Sequence, residues 1–411
     1  MEVEHPIAVS ILASYFVLIF ALVWRIRTEL SITLSNASSK VYVFIFLAVI
    51  SFLATWTYMF KFFIFSYNEW KINTLSSEPL SLNTISLWLK NTSLFDSAWR
   101  QVSLGVWQWL WSHQLCSLTV TVWTPILAIE GTRRKIPYVW VYMLLGQVVA
   151  ISVAASLFFA TILVYKPIVN REPSNGLIKS LFFSTVGGAA TVILSPFVAS
   201  TSAFLPNLLV MHILLIFPLV HLQNTSASKN KTIIYHIILY TLAAGSNFSI
   251  YVNQWFRCID SLLVANSSRQ HLLHDIYSMI VDTFFHHPAQ SSISSDIVCM
   301  QFISMAWMWT YSRSEFKGLP IWVLALIGLT PILSASVTLP VFLGCCEYKK
   351  LLIEDNNLSI AFINIHCNKR VCRHVPMFYF HGTENSLFGI VRIVIEEIER
   401  LNEYKSKLSA N

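Results

Sequence analysis

Long apolar stretches separated by short polar ones dominate this chain. A window of about 19 residues, the length a bilayer-spanning helix requires, finds them at 7–24, 41–60, 105–129, 137–164, 180–200, 203–221, 232–252, 297–311 and 319–344. In lipid every backbone polar group must be satisfied inside the protein, so runs of this kind read as helices packed side by side. The expected fold is all-α, a polytopic transmembrane bundle of eight or nine spans within residues 1–347. Two places leave the number open: Pro196 and Pro206 allow a hairpin or a broken helix across 180–221, and 297–311 is short.

The segments between the runs carry patterns of their own. Residues 78–100 read as a re-entrant or interfacial helix leading into the third span. Residues 253–295 form the longest internal loop, in which Leu272, Leu273, Ile276, Met279 and Ile280 fall at helical spacing and predict an amphipathic helix on the membrane surface. The tail at 348–411 is polar and expected on the cytosolic side, with a final amphipathic pattern from Phe388 to Leu401. The first run, Pro6 to Trp24, is too long for a signal-peptide core and has no small-residue cleavage site before Arg25, so it reads as a retained span.

Composition narrows the class. Of 411 residues, 55% are hydrophobic and 12% charged, against roughly a quarter charged in soluble domains. The net charge of +7 is scattered over short loops, so no nucleic-acid partner is expected and the bilayer is the surrounding phase. Counting loop lysines and arginines places Arg25, Arg27, Lys40, Arg133, Arg134, Lys135, Lys349 and Lys350 in the cytosol, with the amino terminus outside it. Lys229, Lys231 and the stretch from Lys166 to Lys179 do not fit this alternation. Seven cysteines form no C-x-x-C pair and read as small apolar residues.

Few side chains could carry chemistry. None of the six aspartates forms D-D-x-x-D or N-D-x-x-D, the spacing that holds magnesium against a diphosphate. His271, His274 and Asp275, and the pair His286 and His287, lack zinc-ligand spacing, and His212 and His221 are badly placed for haem. No metal and no cofactor is expected. The acids at membrane edges are Asp96, Glu130 and Asp296. Counting back by sevens from Glu130 gives Trp123, Cys116 and Trp109 on nearly one face, with Trp123 about 10 Å from the acid along the axis. Asp296 opens the eighth run, with Met300, Ile303 and Trp307 on its face. A continuous helix would put Asp96 roughly 50 Å from Glu130, so Glu130 and Asp296 are the favoured pair. Burial of paired carboxyls keeps one of them protonated and fit for acid chemistry. The plainer alternatives are an ion pair of Glu130 with Arg133 and Arg134, an N-cap role for Asp296, and an interfacial belt for the tryptophans.

Four stretches, LFDSAWRQV (94–102), WQWLWSHQLCSLTVTVW (107–123), EGTRRKIPYVWVYMLLGQVVAISVAASLFF (130–159) and HPAQSSISSDIV (287–298), resemble fungal multi-span membrane terpene cyclases of the ascofuranone and macrophorin pathways. The resemblance implies a metal-independent terpene or meroterpenoid cyclase of secondary metabolism. It would protonate an epoxide or terminal alkene on a linear farnesyl-type chain and guide the resulting carbocation into rings. Glu130 or Asp296 would be the acid and the other its partner or final base, with Asp96 a third candidate. Trp109, Trp123 and Trp307, with Gln147, would contact the substrate, since aromatic faces stabilise cations. The partners implied are a lipophilic prenylated small molecule and an upstream epoxidase and prenyltransferase; the expected location is the endoplasmic reticulum membrane. Two other classes use the same features: a transporter or efflux protein for a lipophilic metabolite, in which Gln147 and Asn253 serve a pathway, and an acyltransferase with a base from the His271–His287 region.

Overall fold

The computed structural model describes residues 4–33, 39–75, 78–169, 171–220, 225–226, 229–265, 271–316 and 318–367. In chain order the helices are α1 (Pro6–Thr33), α2 (Ser39–Asn73), α3 (Leu82–Asn91), α4 (Leu94–Ser103), α5 (Val106–Leu118), α6 (Thr124–Arg134), α7 (Val139–Val148), α8 (Ile151–Val164), α9 (Asn175–Val198), α10 (Phe204–Val220), α11 (Lys229–Ala265), α12 (Leu272–His286), α13 (Pro288–Glu315), α14 (Ile321–Leu333) and α15 (Ala335–Cys367). One antiparallel pair, β1 (Glu172–Pro173) with β2 (Thr225–Ser226), is the exception to an otherwise helical fold. Five stretches are long and apolar enough to cross a membrane: Pro6–Leu30, Ser39–Asn73, Val106–Arg134, Asn175–Val198 and Lys231–Val264. The chain is an all-α membrane protein. Large apolar side chains such as Phe20, Trp24, Phe46, Phe183 and Ile213 point outward, as a lipid-facing rim requires.

The central stretch Val106–Arg134 is almost wholly buried. Between α5 and α6 it winds as a π-helix over Thr119–Trp123, and the Thr124 N–H donates to the Thr119 carbonyl. Pro125, which follows, has no N–H and its ring would crowd the carbonyl four residues back. The wider turn accommodates the proline without ending the helix.

Two of the nine predicted spans reverse direction partway. Across 137–164 the helix stops at Val148 and restarts at Ile151 in the opposite direction. Tyr142 of α7 therefore meets α8, its hydroxyl 2.8 Å from that of Thr161 and its ring 5.0 Å from Phe158. The limbs, of 10 and 14 residues, reach only about 15 and 21 Å, so the segment enters the bundle and turns back. Across 319–344 the chain reverses at Ser334, whose φ is +74°. Trp322 of α14 lies 5.9 Å from Phe342 of α15, and the hydroxyls of Thr330 and Thr338 are 2.8 Å apart. Each hairpin starts and finishes at one end of the bundle: Arg134, before α7, donates to the Tyr165 carbonyl after α8, and Lys349 of α15 lies 3.8 Å from the ring centre of Phe316, before α14.

That end is where the basic residues gather. The Arg25 guanidinium sits 4.0 Å from the Tyr138 ring centre, and Lys40 donates to Ser314. The Ile168 N–H bonds the Arg133 carbonyl, and Arg171 donates to Thr132. Because α7 and α8 form a hairpin, the segment after residue 164 returns to the side of Arg133–Lys135, as does the start of α11.

Other expectations shift with this architecture. The segment 78–100 forms α3 and α4, and 253–295 is mostly helical, split between the end of α11, α12 and the start of α13. The tail is helical to Cys367; the pattern from Phe388 to Leu401 lies outside the described residues.

Candidate active site

A cleft of about 340 Å³ opens inside the bundle, near the small end of the ~300–1,000 Å³ usual for small-molecule sites. Its floor is the tip of the α7–α8 hairpin, Gly146 to Ile151. Irregular backbone at this depth is tolerated only where protein surrounds it or a cavity adjoins it. The walls come from Tyr15 of α1, Thr55 and Met59 of α2, Phe95, Ala98, Trp99 and Val102 of α4, Leu115 and Cys116 of α5, Thr119 of the π turn, Met211, His212 and Leu215 of α10, and Ala289, Ser292, Ile293 and Asp296 of α13. The lining is mostly apolar, and Asp296 is its one carboxyl group.

Asp296 is not an N-cap of its own helix, which begins eight residues earlier at Pro288. It caps another. Its Oδ2 accepts the Ile151 N–H at 3.0 Å and its Oδ1 the Ser152 N–H at 2.8 Å. These are donors at the start of α8, which have no partner within their own helix. The positive end of the half-helix dipole faces the carboxyl group. Tyr15 secures the other side of the tip, its hydroxyl donating to the Val148 carbonyl.

Glu130 lies in different surroundings. Its carboxylate pairs with Arg134 at 2.8 Å and Arg133 at 3.3 Å, which is the plainer of the two arrangements open to it from sequence. Arg133 also binds Glu172 of β1 at 2.9 Å, both carboxylate oxygens of Glu347 on α15 at 2.6 Å, and Nδ1 of His236 on α11 at 3.2 Å. Lys350 closes the group on Glu347 at 2.8 Å. Glu130 does not line the cleft, so the structure does not bring it and Asp296 into one chamber.

Asp96 pairs with Arg100 within α4, at 2.7 Å. No continuous helix joins Asp96 to Glu130: the chain breaks at Gly105, whose φ of +91° suits glycine. Helix α4 consequently folds back along the cleft, and Ser112 of α5 donates to the Val102 carbonyl at 2.7 Å. Arg100 goes on to donate to the carbonyls of Ala199 and Thr201, tying α4 to the turn between α9 and α10.

The three tryptophans expected on the wall are packed into the core instead. Trp307 stacks on Phe159 with ring centres 4.3 Å apart and planes 7° from parallel, and Trp123 meets Phe158 and Phe159 edge-on. Trp109 packs against His113. Gln147 does line the cleft, on the hairpin tip. The aromatic residues of the wall are Tyr15, Phe95 and Trp99, which sequence reasoning passed over, and His212, which it weighed only as a haem ligand. The signal for Trp99 lay in the periodicity of α4, where Phe95, Ala98, Trp99 and Val102 fall on one helical face. A second cavity, of about 510 Å³, lies between the start of α1 and the α3–α4 junction, and Phe95 borders both.

No family model, curated protein or solved structure matches the chain. Among the described residues no three His, Cys, Asp or Glu side chains converge as a metal site would require. The histidines before α13 have another use: the His287 ring packs against Phe62 and Phe65, and its Nδ1 accepts the Ala289 N–H at 3.2 Å, capping α13.

Proposed function

We propose that the chain is a metal-independent terpene or meroterpenoid cyclase, with Asp296 as the acid that starts the reaction. The observation that carries this reading is a buried carboxyl group bordering an apolar, aromatic-edged cleft within a membrane bundle. A linear prenyl chain would fold against Met59, Leu115, Met211 and Ile293 with its terminal epoxide or alkene at Asp296. Trp99 and Phe95 would offer ring faces to the cation, and exclusion of water would protect it from quenching. The Ile151 and Ser152 N–H groups would hold the carboxylate left behind, since preorganised donors stabilise developing negative charge. Glu130, neutralised by two arginines, takes a structural role here in place of the acid's partner. The larger cavity beside Phe95 suits entry of the substrate and accommodation of its head group. Location in the endoplasmic reticulum, and supply of substrate by a prenyltransferase and an epoxidase, belong to the same proposal.

The test is incubation of full-length protein in membranes with a terminally epoxidised farnesyl phenol. Cyclised product from the wild type and none from Asp296→Asn is the expected outcome; an equal yield from both removes Asp296 from the mechanism. One observation favours the transporter as a second reading: re-entrant hairpins and half-helices are common at transport sites. Only one of the two hairpin tips reaches the cleft, however; the other is filled, with Asn247 donating to the Ser336 carbonyl at 2.7 Å and Tyr251 to that of Ile332 at 2.5 Å. A transporter would return the epoxide unchanged.

A further inference from the structure

The cleft holds one imidazole, and its hydrogen bonding fixes which nitrogen is available. His212 Nδ1 lies 2.7 Å from the Leu208 carbonyl oxygen, one turn back on α10. A carbonyl only accepts, so Nδ1 carries the hydrogen and Nε2 of the neutral ring is left with its lone pair. Among the described residues Nε2 has no hydrogen-bond partner, and the His212 side chain borders the cleft. The Trp99 ring meets the imidazole edge-on at 6.4 Å, restraining it. His212 and Asp296 sit on separate helices, α10 and α13, yet border the same cavity.

Resting on the cyclase reading, we infer that His212 is the base that ends the reaction, taking through Nε2 the proton lost beside the last carbocation. Asp296 gives its proton to the epoxide oxygen or the terminal alkene carbon, and the alkene electron pairs form the ring bonds in turn. At the final cation a neighbouring C–H bond breaks, its electron pair becomes the new double bond, and the proton passes to Nε2. The substrate is isomerised with no change of oxidation state; the imidazolium then releases its proton and Asp296 regains one from solvent. The other polar groups of the cleft serve this step less well. The Tyr15 hydroxyl is engaged with Val148, Gln147 and Cys116 are weaker bases than imidazole, and both oxygens of Asp296 already accept backbone N–H groups. Separating acid from base lets one end of a folded chain be protonated while the other end is deprotonated.

The test uses full-length wild type, His212→Gln and His212→Phe in membranes, with the epoxidised farnesyl phenol as probe and both substrate loss and product identity followed. His212→Phe keeps a ring against Trp99, and elution of each variant as a single species in detergent reports folding. The wild-type alkene is expected to fall about 100-fold in both variants, the loss typical of removing a general base. Substrate should still be consumed, emerging as water-quenched alcohols or as other alkene isomers. The wild-type alkene formed at an unchanged rate in either variant would overturn the assignment. So would loss of substrate consumption in step with product, which places His212 before the first proton transfer. If the wild type itself leaves the epoxide untouched, the cyclase reading fails first; if it cyclises and the variants match it, only the role of His212 fails.

Discussion

The two buried carboxylates that sequence analysis paired, Glu130 and Asp296, turn out to be held in opposite ways. Glu130 belongs to a cluster of three carboxylates and three cations, with Arg133 at its centre donating to β1, α6 and α15. Asp296 has no cationic side chain bonded to it; two backbone N–H groups hold it, and a cavity adjoins it. A dense charge cluster in a membrane protein is thus a fastening, which joins the loop ends of four elements at the basic face. The sparsely partnered acid is the one that borders the cleft. Burial alone does not separate these roles, because both groups are mostly shielded; the identity of the partner does.

The largest effect that would sharpen this contrast is expected from Arg133→Met. It strips Glu172 and Glu347 of their shared partner, and breaking a buried pair in this one-sided way costs about 3–5 kcal/mol. Thermal unfolding of the purified variant in detergent should show a correspondingly lowered midpoint, and an unchanged midpoint would mean that the cluster fastens nothing. At the other centre, Asp296→Asn is expected to reduce cyclised product at least about 100-fold, or about 2.7 kcal/mol of barrier, in protein that still accumulates in membranes. Asparagine retains one acceptor oxygen but turns an amide toward a backbone N–H, so a small drop in stability should accompany the loss of activity. Gly188→Ala probes the scaffold between the two centres. A Cβ at Gly188 would lie 2.7 Å from Cβ of Val120 in the π turn, and overpacking of this kind costs about 1–3 kcal/mol. Thermal unfolding measures that too, and no change would show that α9 has room to retreat. The smallest effect is expected from Glu130→Gln, with cyclisation within about threefold of wild type and stability lowered by about 1 kcal/mol. Loss of turnover with an intact fold would return Glu130 to the chemistry.

Much of this architecture is legible in the sequence, because the apolar runs are long and their edges charged. Turning points are harder to read. The limbs of the α7–α8 hairpin add up to one span's worth of apolar residues, and the reversal at Val149–Ala150 carries neither glycine nor proline. What reverses the chain there is tertiary: Asp296 satisfies the restarted helix, and Tyr15 holds the tip. The α14–α15 reversal had a faint signal in Pro331 and Ser334. Asp296 stands out in sequence as an acid beside an apolar run, but its partners are backbone N–H groups, which no residue type announces. His212 was visible only as an intramembrane histidine; its tautomer depends on a carbonyl one turn away. The tryptophans misled because packed aromatic cores and substrate walls share one composition.

The two reversals carry a consequence for how the chain sits in a bilayer. The start of α1 bonds Asn83, whereas Glu29 near its far end accepts from Tyr165, whose carbonyl binds Arg134 beside the Arg133–Glu347 cluster; the two lie at opposite ends of the helix. Set in a bilayer, the start of α1 and Asn91 would share one face, since Lys90 bonds His5, and the Glu347 cluster would lie at the other. Treating either re-entrant hairpin as a full crossing would exchange the compartments assigned to everything downstream of it.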